Sequence, residues 1–250
     1  MKPDYFDMQI SDNVKDSYSS QYNDDSVSWR NTGAKYKAHN IVALSKHISF
    51  TNVLEVGAGE GSILSWLSQW DFCKDLNCVE ISESGIGLIK SKNIKYLNDI
   101  LLFDGYQIPY PDNHFDLVIC SHVLEHVEHE RILLREIKRV SKYQIFEVPI
   151  DFSFYVDRKI KHFLSYGHIN IYTPALLRFL LRSENFQVKS DICHLYNDEV
   201  IKPLFKNNLS GFYLTKFKHF VLRMFPYLLG IKPNAYAVLT EKTEKDLSIF

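Results

Sequence analysis

Glycine is scarce in this chain, with 10 among 250 residues, so three glycines at alternate places (Gly57, Gly59 and Gly61) stand out from a thin background. Cysteine is scarce as well. The four thiols, Cys73, Cys78, Cys120 and Cys193, form no C-x-x-C pair. That argues against a redox motif or a zinc ribbon and suits free, buried thiols in a reducing compartment. Behind Met1 there is no basic and apolar leader, and no apolar run reaches the length that spans a bilayer. A net charge of −1 gives no overall attraction to nucleic acid. Internal repeats and low-complexity tracts are lacking. These absences predict a soluble, cytoplasmic protein with no stable membrane insertion and no nucleic-acid partner.

What is present is apolar and aromatic. Hydrophobic residues make up 46% of the chain, with 17 Phe and 15 Tyr, enough for one sizeable core in one or two domains. Residues 1 to about 28 are rich in Asp, Ser, Asn and Tyr and read as disordered or as a lid that orders on binding. Trp29 to Ile48 reads as a helix with Ala34, Ala38, Ile41, Val42 and Ile48 on one face. An alternation of short strands and helices follows: strands at 53–56, 77–81, near 100–103, 115–120 and 143–148, helices at 62–70, 83–91 and 128–140. Such alternation implies a parallel sheet with helices on both faces. Residues 149 to about 170 read as an irregular insertion. Thr173 and Pro174 then open a helix to Ser183, and strands are expected at 186–194 and 235–240.

The run Val53-Leu54-Glu55-Val56-Gly57-Ala58-Gly59-Glu60-Gly61 is the most informative in the chain. A buried parallel strand reads like its first half, and the glycines permit a tight turn and close approach of backbone to a ligand. The spacing is G-x-G-x-G, distinct from the G-x-G-x-x-G of dinucleotide sites. A second strand ends in Glu80-Ile81. Further on come Asp104-Gly105, the run Ile108-Pro109-Tyr110-Pro111-Asp112-Asn113-His114-Phe115-Asp116, and then Ser121-His122-Val123-Leu124-Glu125-His126-Val127. In order and interval these elements, over roughly residues 50 to 195, resemble the class I S-adenosylmethionine-dependent methyltransferases of the small-molecule type.

The resemblance implies a Rossmann-like, seven-stranded, mostly parallel α/β sheet with an N-terminal lid and a substrate cap. The corresponding division is 1–48 for lid and first helix, 49–195 for the cofactor-binding core, 196–233 for the cap and 234–250 for the last strand and tail. It also implies S-adenosylmethionine as cofactor. Gly57, Ala58, Gly59 and Gly61 would wrap its methionine portion, Glu55 would support the site, and Glu80 with Ile81 would take the ribose. Asp104 with Gly105 would take the adenine, with Asp99 the competing acid, and Ser121 and His122 would line the pocket. Arg30 or Lys35 could pair with the cofactor carboxylate, or simply face water.

His122 and His168 are the candidate proton acceptors, since a histidine can take a proton from an attacking hydroxyl. Each has a plainer alternative: His122 as pocket lining, His168 as a cap for the next helix. Arg158, Lys161, Tyr166 and His168 are the candidate substrate-binding residues. His122, His126 and His129 lack the arrangement of a zinc protease, so no metal is expected. The reading is O-methylation of a small polar acceptor, a sugar, nucleotide sugar or phosphorylated group, in bacterial surface-polysaccharide synthesis. The basic, Phe-rich stretch from Val200 to Thr240 favours an anionic acceptor, with amphipathic helices whose lysines face water and a membrane-surface role as the alternatives. A quinone or fatty-acyl methyltransferase and a catalytically silent cofactor-binding subunit are the alternatives.

Overall fold

The computed structural model describes residues 27–153, 155–205, 208–230 and 233–243. The lid expected over residues 1 to about 28 falls almost wholly outside the described residues, as do Lys206, Lys232 and the tail from 244. Helix α1 (Val27–Ser45) leads into β1 (Asn52–Val56), α2 (Ser62–Gln69), β2 (Asp75–Glu80), α3 (Glu83–Ser91) and β3 (Leu97–Leu102). Strand β4 (Phe115–Ser121), α4 (Glu130–Val140) and β5 (Ser141–Pro149) follow, then the short α5 (Ile160–Leu164), α6 (Pro174–Ser183) and β6 (Phe186–His194). Helices α7 (Asp198–Ile201), α8 (Leu209–Met224) and α9 (Pro226–Leu229) precede the last strand, β7 (Ala235–Lys242).

The seven strands lie in the order β3-β2-β1-β4-β5-β7-β6. All neighbours are parallel except β7, which runs antiparallel between β5 and β6. Strand order reverses between β1 and β4, where Leu54 sits beside Val118. A doubly wound sheet binds its ligands just outside the strand ends at such a point.

Two-residue alternation explains the layering. Leu54, Val56, Val118 and Cys120 point to one face and pack with Leu133, Leu134, Ile137, Leu177 and Leu181 of α4 and α6. Val53, Leu117 and Ile119 point to the other and meet Ala38 and Ile41 of α1 and Leu64 and Leu67 of α2. Glu55 shares the face of Val53, so a carboxylate stands among the apolar residues beneath α1.

Local chemistry sets several boundaries. Ser82 Oγ accepts from Gly85 N at 3.3 Å and caps α3. Thr173 Oγ1 does the same for α6 at 3.1 Å from Leu176 N, with Pro174 in the first turn. The helix expected from residue 128 begins at Glu130, because Leu124–His126 forms a separate 3₁₀ turn. The 149–170 insertion is more regular than expected, with α5 inside it. Among the described residues no helix is long and apolar enough to cross a membrane.

Candidate active site

The glycine turn leaves β1 with Gly57, Gly59 and Gly61 at φ +71°, +58° and +72°. Three left-handed residues at alternate places are cheap only for glycine. The turn is held from β2: Glu80 Oε2 accepts from Gly59 N at 2.7 Å, while its Oε1 accepts from Ser82 N at 3.0 Å. Burial raises the Glu80 carboxyl above its usual range, against the pull of those backbone donors. A carboxylate has about four lone-pair positions, so Glu80 keeps acceptor capacity beyond these bonds. Gly85, in the first turn of α3, was not singled out by the sequence. A Cβ there would stand 2.8 Å from Gly59 O and 3.1 Å from Glu80 Cγ. The only hint in the sequence is a glycine two residues into a helix.

Asp104 follows β3 and folds back on its own turn, with Oδ1 accepting from Tyr106 N at 2.8 Å and Gln107 N at 2.6 Å. Both bonds fall on one of its two oxygens. The competing Asp99 lies exposed within β3 and takes the Tyr110 hydroxyl at 3.1 Å. The Ile108–Asp112 stretch is clamped from α4: Arg139 donates to the carbonyls of Ile108 and Tyr110 and to the Asp112 carboxylate.

Beyond Ser121, whose buried Oγ has no hydrogen-bond partner, the chain turns sharply at His122, φ +56°. A left-handed backbone at a non-glycine residue costs of order 1 kcal/mol and often marks a functional position. It sets the imidazole between two buried carboxylates, with Nδ1 3.4 Å from Glu125 Oε1 and Nε2 3.6 Å from Glu147 Oε1. Burial pushes the Glu147 carboxyl up, but His122 and Lys37 outweigh it and hold Glu147 below the usual range.

The 167–172 segment docks onto the same turn. Ile169 N and Asn170 N donate to Glu125 O, and Asn170 Nδ2 donates to Leu124 O and Val127 O. His126 Nδ1 lies 2.9 Å from Gly167 O, and His168 Nδ1 lies 2.6 Å from Asp151 Oδ2 at the end of β5. The two rings meet edge to face at 4.8 Å. Burial lowers His126, more than the Glu125 charge raises it. Burial also opposes protonation of His168, but the Asp151 bond and the Glu125 charge prevail and raise it. His168 is therefore held by a carboxylate and does not cap α6, the role that Thr173 takes.

Arg30, an expected partner of the cofactor carboxylate, has its guanidinium 3.3 Å from Glu60 inside the glycine turn. Lys35 lies over the Trp66 ring, 5.3 Å from its centroid. The α1 residue that reaches the strand ends is Lys37, unmarked in the sequence reading. Burial lowers its ammonium, opposed by the charges of Glu147, Glu125 and Glu55. Asn40, one turn on, donates to Glu147 at 3.4 Å. Glu55 itself is pushed up to about 8 by burial, with Lys37 pulling down and Glu80 adding to the rise, and its Oε2 has no hydrogen-bond partner. Of the expected substrate residues, Arg158 is exposed with its guanidinium 4.7 Å from the Tyr155 centroid, and Lys161 and Tyr166 are exposed.

Glycine turn and histidine turn adjoin: a Cβ on Gly57 would stand 2.6 Å from Val123 Cγ2. This architecture defines a doubly wound nucleotide-type crevice with a histidine–carboxylate cluster at its mouth. Residues 54–144 match the family described as methyltransferase domain, which makes this stretch of the chain a methyltransferase domain. An uncharacterized protein of Methanocaldococcus jannaschii is 29% identical over 133 residues, 52% of this chain and 57% of that protein. The ubiquinone/menaquinone biosynthesis C-methyltransferase UbiE of Cupriavidus necator is 31% identical over 93 residues, 36% of this chain and 38% of its own. The chain thus spans about half or less of these curated relatives. The magnesium protoporphyrin IX methyltransferase of Synechocystis, solved with bound SAH, superposes with a TM-score of 0.60 over 92% of this chain and 99% of its own, at 14% identity. That likeness establishes the fold.

The cofactor of this class is S-adenosylmethionine, and the residues fit it. The left-handed glycine turn suits close backbone approach, Glu80 at the end of β2 retains lone pairs beyond its two backbone bonds, and Asp104 takes both of its backbone bonds on one oxygen.

Proposed function

We propose that this chain transfers the methyl group of S-adenosylmethionine to a hydroxyl of a small, anionic acceptor, a sugar, nucleotide sugar or phosphorylated group, in bacterial surface-polysaccharide synthesis. The observation that carries the reading is the contact of the glycine turn with the histidine turn, which puts a cofactor crevice beside groups that can manage a proton. The cofactor supplies a sulfonium-bound methyl open to in-line displacement. The chain's own residues then have three tasks. Glu80, Asp104 and the glycine turn fix the donor. Helices α5 and α8 cap the crevice and exclude water. His122, seated between Glu125 and Glu147, holds the proton released by the attacking hydroxyl. Alignment of this kind is the main source of rate when the donor is intrinsically reactive.

Charge supports the anionic acceptor. Lys159 of the insertion comes near enough to α8 for its charge to add to burial in lowering Lys218, and Arg158 and Lys161 are its exposed neighbours in sequence. A second reading rests on the apolar side of α8, where Tyr213, Leu214, Phe217, Phe220 and Met224 are all more than half exposed. That face suits a quinone or fatty-acyl acceptor, and the UbiE relative's name agrees.

A panel of nucleotide sugars, phosphosugars and quinols, incubated with the chain and labelled cofactor, tests both. The proposal expects label in an anionic sugar, with a KM that rises with ionic strength and rises at low salt in Arg158→Ala/Lys161→Ala. Label confined to quinols selects the second reading. Cofactor binding without label in any acceptor supports a silent binding subunit.

A further inference from the structure

We propose that Glu125, His126 and His168 form a binding site for one divalent first-row transition cation, such as Zn²⁺ or Mn²⁺, beside the end of β4. One ligand atom from each side chain lies within 4.8 Å of the other two. Ligands about 2.0–2.2 Å from an ion stand at most ~4.4 Å apart, so small side-chain rotations close the set. Two imidazoles and one carboxylate are a common donor set for such ions and leave positions open.

The orientation of both rings is the stronger argument. His126 Nδ1 faces the Gly167 carbonyl at 2.9 Å, and a carbonyl can only accept. The proton therefore sits on Nδ1, and the Nε2 lone pair looks back towards Glu125 Oε1, 3.8 Å away. His168 Nδ1 faces the Asp151 carboxylate at 2.6 Å, which leaves its Nε2 in the same state. Metal-binding histidines are held in this manner, by a carbonyl or carboxylate on the far nitrogen.

Glu125 supplies the independent observation. Its side chain is 1% exposed, yet neither carboxylate oxygen has a hydrogen-bond partner among the described residues. A buried, unbonded carboxylate is costly unless a charge compensates it. Lys37 acts on the same group, but its charge is shared with Glu147 and Glu55. A cation between Glu125 and the two Nε2 atoms would satisfy the oxygens directly. His122, with Nδ1 3.4 Å from Glu125 Oε1, stays beside the ion and outside the ligand set. The spacing of the sequence did not show this set, because His168 arrives from beyond β5.

On the methyltransferase reading, an ion here would polarise the acceptor oxygen, and the proton-holding role would rest with His122 while His168 serves as ligand. Binding of the ion does not depend on that reading.

Calorimetry with the full chain, stripped by chelator and titrated with ZnCl₂ and separately with MnCl₂, tests the site. One ion per chain is expected for at least one of the salts. His126→Ala and His168→Ala should each weaken it about 30-fold or more, and Asp151→Asn about 10–100-fold. His129→Ala, at the exposed start of α4, should leave it unchanged. Because Glu125→Ala removes a buried group and can unfold the chain, the histidine variants decide, with circular dichroism and cofactor binding as checks of the fold. No uptake by the folded wild type, or uptake indifferent to both histidine substitutions, overturns the site. Cofactor binding that persists in that case leaves the methyltransferase reading standing.

Discussion

Gly85 and Glu55 show what single residues contribute to the crevice. Gly85 lets α3 approach the glycine turn, and a larger side chain must displace Gly59 O, a backbone atom that cannot swing aside. Gly85→Val should weaken S-adenosylmethionine binding about tenfold or more and lower the melting temperature. An unchanged affinity by calorimetry would mean that the close approach is incidental. Glu55 predicts a pH effect. Its carboxyl rises from an ordinary value near 4.5 in the unfolded chain to about 8 in the fold. Between those values the folded chain holds the extra proton, so this contribution to stability is complete below the lower value and is lost as pH rises through the upper one. Glu55→Gln should therefore flatten the fall in urea midpoint between pH 5 and pH 9 and exceed the wild type at pH 9. Parallel profiles would show that Glu55 is not held protonated.

Helices α4 and α6 are joined by a single acid. Glu184, just past α6, accepts from Arg131 at 2.6 Å and from Arg135 at 2.8 Å, and Lys138 donates to its carbonyl. Both guanidinia are about half exposed, so solvent screens the pairs and Glu184→Ala should cost only about 1–2 kcal/mol. Thermal unfolding checks this, and no loss would assign the helix pair to Leu133, Leu177 and Leu181 alone. Elements of this kind were legible in the sequence wherever the chemistry was local. Short, nearly continuous apolar runs marked β1, β4 and β5, and Thr173-Pro174 marked the start of α6. The edge strand β3 was harder to place, since half its residues face water. Lys37 and Gly85 were invisible because their roles depend on what α1 and α3 pack against. The pairing of His126 with His168 likewise needs β5 and the segment after it to fold back, a contact that no spacing encodes.

At the scale of the molecule, the sheet brings the ends of β1, β2, β4 and β5 to one crevice, and the glycine turn, Glu80, His122 and Asp151 arrive there from separate stretches of chain. On the proposed reading the basic insertion and α8 border that crevice, which is why the acceptor panel has to include both charged sugars and quinols. The central claim is narrower: the glycine turn and Glu80 hold S-adenosylmethionine. Titration calorimetry of the folded chain with that ligand tests it most directly. The account predicts one molecule bound per chain, weakened by about 1.5–3 kcal/mol in Glu80→Ala through loss of charge-assisted hydrogen bonds. A folded wild type that binds none, or a folded Glu80→Ala variant that binds as tightly as the wild type, would contradict it.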